Sequence, residues 1–80
     1  MTIKVNDYVT QEPAEKKLEE SIIGKVVKIN ADQSPISLDV RIVYAPEGIN
    51  SGIAGWWLLG SSRELPAQEV QSLLSKRFRV

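Results

Sequence analysis

Apolar residues recur with a period of two in short runs along this chain. Ile3 and Val5 alternate with Lys4 and Asn6 ahead of Tyr8-Val9, and Leu38, Val40, Ile42 and Tyr44 alternate with Ser37, Asp39, Arg41 and Val43. Successive side chains of an extended strand point to opposite faces, so the two runs predict half-buried strands over 3–9 and 38–44. Leu38, Val40, Ile42 and Tyr44 are the expected core of the second. Ile22 to Ile29 is dense in β-branched residues and predicts another strand, with Gly24 marking a bulge or sharp bend inside it. Gly55-Trp56-Trp57-Leu58-Leu59 predicts a fourth, ended by Gly60-Ser61-Ser62.

The segments between these runs carry turn chemistry. Asn6-Asp7 is placed to turn or bulge the first strand, and Asn30 to Pro35 supplies turn residues after the second. Thr10 to Ser21 is polar, with Leu18 its only large apolar residue, so one helical turn from Pro13 would be a solvated loop element. Pro46, Gly48, Asn50 and Gly52 make 45–54 a loop carrying Ile49 and Ile53. The period then changes. Val70, Leu73, Leu74 and Phe78 stand at i, i+3, i+4 and i+8, which predicts a helix over 66–78. Pro66 suits its first turn, Lys76 and Arg77 suit its C-terminal dipole end, and Arg79-Val80 extends into a closing strand.

The fold class expected is mainly β with a C-terminal helix: one domain, 1–80, built as an SH3-like small barrel of four to five strongly bent antiparallel strands. The helix is expected to pack its stripe over one barrel end. The alternatives for covering it are a twin in a homodimer or a partner's groove.

Several short motifs in this order resemble the SH3-like small barrels of the KOW and photosynthetic accessory-subunit type. They are Asn6-Asp7-Tyr8-Val9, Gly24-Lys25-Val26-Val27-Lys28-Ile29, Val40-Arg41-Ile42-Val43-Tyr44, Trp56-Trp57-Leu58 and Glu64-Leu65. Val40 to Asn50 is similar to part of photosystem I reaction-centre subunit IV, and the outline is similar to the variable chain of ferredoxin-thioredoxin reductase. The resemblance implies a fold, and by analogy of fold an accessory or nucleic-acid-binding role. A helix as long as 66–78 departs from that family pattern.

Composition narrows the classes. The chain has 80 residues with Lys+Arg and Asp+Glu at 10 each, a formal net charge of zero. Nucleic-acid binders usually carry a basic excess, which places that class second. Without Cys there is no disulfide or thiolate site, and an intracellular, cytoplasmic address is expected. No apolar run approaches the ~20 residues of a membrane span.

Catalysis is poorly supplied. His and Cys are both absent, which removes the commonest general base and the strongest nucleophile, and no P-loop, dinucleotide fingerprint or nucleophile elbow is present. A metal would need hard oxygen ligands, and no calcium-loop spacing occurs. The expectation is a non-enzyme without cofactor or metal.

The adjacent tryptophans carry the functional reading. If 55–59 is extended, one indole enters the core and the other stands outside, where it is either covered by the Val70, Leu73 and Leu74 face or left as a binding anchor. The expected role is an adaptor, accessory subunit or inhibitor docking on a larger protein or complex through Trp56 or Trp57 with Tyr44, Ile49 and Ile53. The alternative is a KOW-type RNA or single-stranded DNA module in which Lys25, Lys28 and Arg41 join an indole that stacks on a base. Lys76, Arg77 and Arg79 read as a solvated, dipole-complementing end.

Overall fold

A computed structural model describes residues 3–46 and 52–77, with the side chain of residue 77 excepted. Five antiparallel strands form one sheet: β1 (Tyr8–Thr10), β2 (Ile23–Asn30), β3 (Ser37–Tyr44), β4 (Ala54–Leu58) and β5 (Arg63–Leu65), in the order β4-β3-β2-β1-β5. One helix follows, α1 (Ala67–Arg77), and 3-10 turns at Leu18–Glu20 and Leu59–Ser61 complete the described elements. The sheet is open, with β4 and β5 as its two edges, so the closed barrel expected from the pattern is not formed among the described residues. It is nevertheless curled. A flat sheet of this order would hold its edges roughly 19 Å apart, yet only residues 59–62 join β4 to β5, and part of that link is wound into a 3-10 turn.

Two apolar clusters lie on opposite faces. Val9, Val26, Leu38, Val40 and Ile42 gather on the inner face with Ile3 and Ala45, and Trp57 and Leu59 pack against them. Ile23, Tyr44, Leu65 and Val70 form the other cluster, flanked by Tyr8, Leu18, Leu73 and Leu74. The pairs Tyr8↔Leu65 and Val9↔Gly24 fix the faces, because adjacent residues of β1 point to opposite sides. The outer face at the β1–β5 end is thus covered by α1 and the Leu18–Glu20 turn. Leu38, Val40, Ile42 and Tyr44 are all buried, as the alternation predicted.

Several expectations need correction. The first strand is three residues long, because Lys4 to Asp7 closes a turn: Asp7 N–H donates to Lys4 O at 3.0 Å and Lys4 N–H to Asp7 Oδ2 at 2.8 Å. Asn6, at φ 79°, takes the left-handed conformation that Asn tolerates. Ile3 still reaches the core without strand pairing. Leu18 belongs to a 3-10 turn docked on the second cluster, so the polar 10–21 segment is anchored. The helix packs in cis at the β1–β5 end, with Val70, 0% exposed, among Ile23, Tyr44 and Leu65 and with Leu73 and Leu74 partly buried, so the Val70, Leu73 and Leu74 face does not cover an indole. Residues 78–80, including the expected closing strand, lie outside the described residues.

The Tyr44 hydroxyl donates to Glu19 O at 2.6 Å, tying the Leu18–Glu20 turn to β3. Tyr44→Phe is expected to lower unfolding free energy by about 1–2 kcal/mol, since the carbonyl loses a partner in a partly buried place. Urea denaturation followed by circular dichroism measures it, and an unchanged midpoint would show the bond to be unimportant.

Candidate functional site

The outer face of β2, β3 and β4 is the part of the sheet that α1 leaves uncovered. The register brings its side chains together in rows. Lys25 pairs with Arg41 and Arg41 with Ala54; Lys28 pairs with Asp39 and Asp39 with Trp56. Cross-strand neighbours on one face lie about 4.5–5.5 Å apart at Cβ, so these residues form one patch. A depression of about 440 Å³ opens on it, lined by Val27, Asp39, Arg41, Ala54 and Trp56 among others.

The indoles divide as the strand period requires. Trp57, opposite Leu38, turns inward and packs on the first cluster; Trp56, opposite Asp39, turns outward and is 57% exposed. Inward packing depends on Gly24, where an added Cβ would stand 3.0 Å from Val40 Cβ and 3.1 Å from the Trp57 ring. Only a residue without Cβ lets the ring lie that close. At the start of β4, Ile42 N–H donates to Ile53 O at 2.9 Å while its carbonyl accepts from Gly52 N–H at 2.6 Å, and Gly52 holds φ 93° to allow it.

Val27 reaches the patch through a bulge. The ladder steps from Val26↔Val40 to Lys28↔Asp39, leaving Val27 as an extra residue, 54% exposed beside Arg41 and Trp56. The sequence does not single this position out, since Ile22-Ile23 is a doublet of the same kind as Val26-Val27 and only the pairing with β3 places the extra residue.

Charge on the patch is uneven. Lys25, Lys28 and Arg41 supply three cations against the single carboxylate of Asp39, and among the described residues the only ion pair lies elsewhere, between Lys16 and Glu12 at 3.1 Å. Asp39 is held in place by Asn30, whose Nδ2 donates to Asp39 Oδ1 and to Ser37 Oγ, each at 3.2 Å. Ser37 Oγ in turn donates to Gln33 Oε1 at 2.8 Å.

Of the residues expected to dock a partner, Trp56 is on this face and Ile53, 48% exposed, immediately precedes β4. Trp57 is directed into the core, and Tyr44, 7% exposed, is held under the Leu18–Glu20 turn, so neither joins Trp56. Ile49 lies outside the described residues. Lys25, Lys28 and Arg41, expected for nucleic acid, share the face with Trp56. No helix among the described residues is long and apolar enough to cross a membrane. Comparison with protein-family models, with curated proteins and with solved structures finds no match to this chain.

Proposed function

We propose that this chain is a non-catalytic docking module, an adaptor, accessory subunit or inhibitor that binds a larger protein through the outer β2–β3–β4 face. The carrying observation is Trp56, exposed on a strand at the border of a depression that also exposes Val27. Trp is the residue most enriched at binding hot spots, and a strand presents it at little entropic cost. The surrounding excess of cations favours a partner segment that offers an apolar side chain flanked by carboxylates. The curled β4-β3-β2-β1-β5 order, with a 3-10 turn before β5, supports assigning the chain to the SH3-like small barrels.

The test is affinity capture of the complex from the native host, followed by binding of the identified partner to variants. Trp56→Ala is expected to weaken binding by about 2 kcal/mol or more while the circular dichroism spectrum is retained. Arg41→Glu is expected to weaken it too, by removing one cation and adding a repelling charge. Retained affinity in both variants would overturn the reading.

A second reading rests on a separate observation, the sharing of this face by Lys25, Lys28 and Arg41. An indole beside three cations is a stacking platform for single strands, and stacking contributes about 1–3 kcal/mol per base. Titration with an oligo-dT or oligo-U strand decides between them. The docking reading expects no binding at low salt, whereas tight binding that falls steeply with salt would put the nucleic-acid reading first.

A further inference from the structure

The free edge of β4 is defined by its register to β3. Leu59 N–H donates to Ile36 O and Ile42 N–H to Ile53 O, each at 2.9 Å, and the pairs Leu38↔Trp57 and Val40↔Gly55 fall between them in the same phase. Hydrogen-bonded and non-bonded pairs alternate in an antiparallel ladder. Gly55 and Trp57 therefore direct their N–H and C=O groups at β3, and Ala54, Trp56 and Leu58 direct theirs away from the sheet. Among the described residues the only partner on that side is Ser62 Oγ, which donates to Leu58 O at 2.8 Å.

Exposed edges are normally blunted by charge or proline. The β5 edge has Arg63 and Glu64 and is followed by Pro66, whereas β4 reads Ala-Gly-Trp-Trp-Leu, with neither. We propose that β4 pairs with β4 of a second copy of this chain, antiparallel about a two-fold axis at Trp56, which joins the two sheets into one. Trp56 then opposes the partner's Trp56 and Ala54 opposes the partner's Leu58, so the outward-directed N–H and C=O groups of the two strands face one another, with Leu58 O also accepting from Ser62 Oγ. The strand itself carries no charge, and a chain of zero formal net charge meets its twin without net repulsion. A strand pair is smaller than the roughly 1,200–2,000 Å² of stable complexes, so the dimer is weak and concentration-dependent. It uses the edge of the sheet rather than the depression, and Val27 and Arg41 stay on the open face.

The chain has no cysteine, so single-cysteine variants report on this register directly. Opposed residues of a hydrogen-bonded antiparallel pair have Cα atoms about 5.5 Å apart, within the range a disulfide spans. Trp56→Cys is expected to form a covalent dimer under mild oxidation at least about tenfold faster than Val27→Cys, which is exposed on the same face but away from the edge. Ala54→Pro removes only an outward-directed N–H, a replacement that edge strands tolerate. It is expected to leave the circular dichroism spectrum unchanged, to keep the protein monomeric in sedimentation at concentrations where the wild type associates, and to suppress cross-linking of Trp56→Cys. A wild type monomeric at every concentration, or equal cross-linking at positions 27 and 56, would overturn the proposal. If Ala54→Pro fails to fold, the comparison of positions 27 and 56 still decides. Arg41→Glu, which disables the docking face, is expected to leave self-association intact, so the two proposals fail separately.

Discussion

Trp57→Ala is expected to destabilise the protein by about 3–5 kcal/mol, the usual range for truncating a packed aromatic residue, while Trp56→Ala changes stability by about 0.5 kcal/mol or less. The two residues are neighbours in sequence and identical in chemistry, so the contrast isolates the face each one occupies. Trp57 lies on the inner cluster, its ring against the backbone of Gly24 and the side chain of Val40, and its removal leaves a void that the short strands cannot close. Trp56 stands on the outer face with solvent around it. A loss of this size is a large share of the about 5–15 kcal/mol that a folded domain has in total. Urea titrations of both variants, followed by circular dichroism, make the comparison, and equal midpoints would show that the indoles are not divided between the faces. The substitution that removes a binding partner is thereby expected to be the one that spares the fold.

Val70→Asp is expected to unfold the protein or to cost about 3 kcal/mol or more. The new carboxylate would be placed among Ile23, Tyr44 and Leu65 at a position that is 0% exposed, and burying a charge is among the most destabilising changes known. Leu73 and Leu74 are only partly buried at the margin of the same cluster, and substitutions there are expected to cost less. Truncation after Leu65 removes the α1 part of this cover, leaving only the Leu18–Glu20 turn, and is expected to leave an unfolded product, because the surfaces that Val70 buries on Ile23 and Tyr44 would then face water. Thermal melts of Val70→Asp and of the truncated chain, with one-dimensional proton spectra for dispersion, are the measurements. A folded, monomeric 1–65 fragment would show that α1 serves association rather than stability.

The longer elements of this fold were legible because each spans several periods. Val40 and Ile42 alternate cleanly, and the Val70, Leu73 and Leu74 spacing holds only on a helix. β5 was not legible: Arg63-Glu64-Leu65 has a single apolar residue, too short a run for any period, and its pairing with Tyr8, Val9 and Thr10 supplies what the sequence pattern lacks. Ile3 and Val5 misled in the opposite sense, since two alternating residues look like a strand while a turn stabilised by Asp7 withdraws their backbone. The candidate site followed the same logic. That one indole would be outside was readable from adjacency, but which one depends on register. Tyr44 shares an alternating run with Leu38, Val40 and Ile42, yet the ladder shifts between Ile23 and Gly24 and carries it to the cluster under α1. The gathering of Lys25, Lys28 and Arg41 beside Trp56 arises from pairing across three strands, which no local pattern contains.

The bulge at Val27 makes one position of β2 free in length rather than in composition. Without Val27 the ladder would run directly from Val26↔Val40 to Lys28↔Asp39, and Ile29 would still meet Leu38. Deleting Lys28 instead would carry Ile29 to the outward place opposite Asp39 and Asn30 to the inward place opposite Leu38. Position 27 is therefore where a residue can be lost, or a spectroscopic label carried, without disturbing the reading frame of the sheet, and its valine answers to the outer face alone.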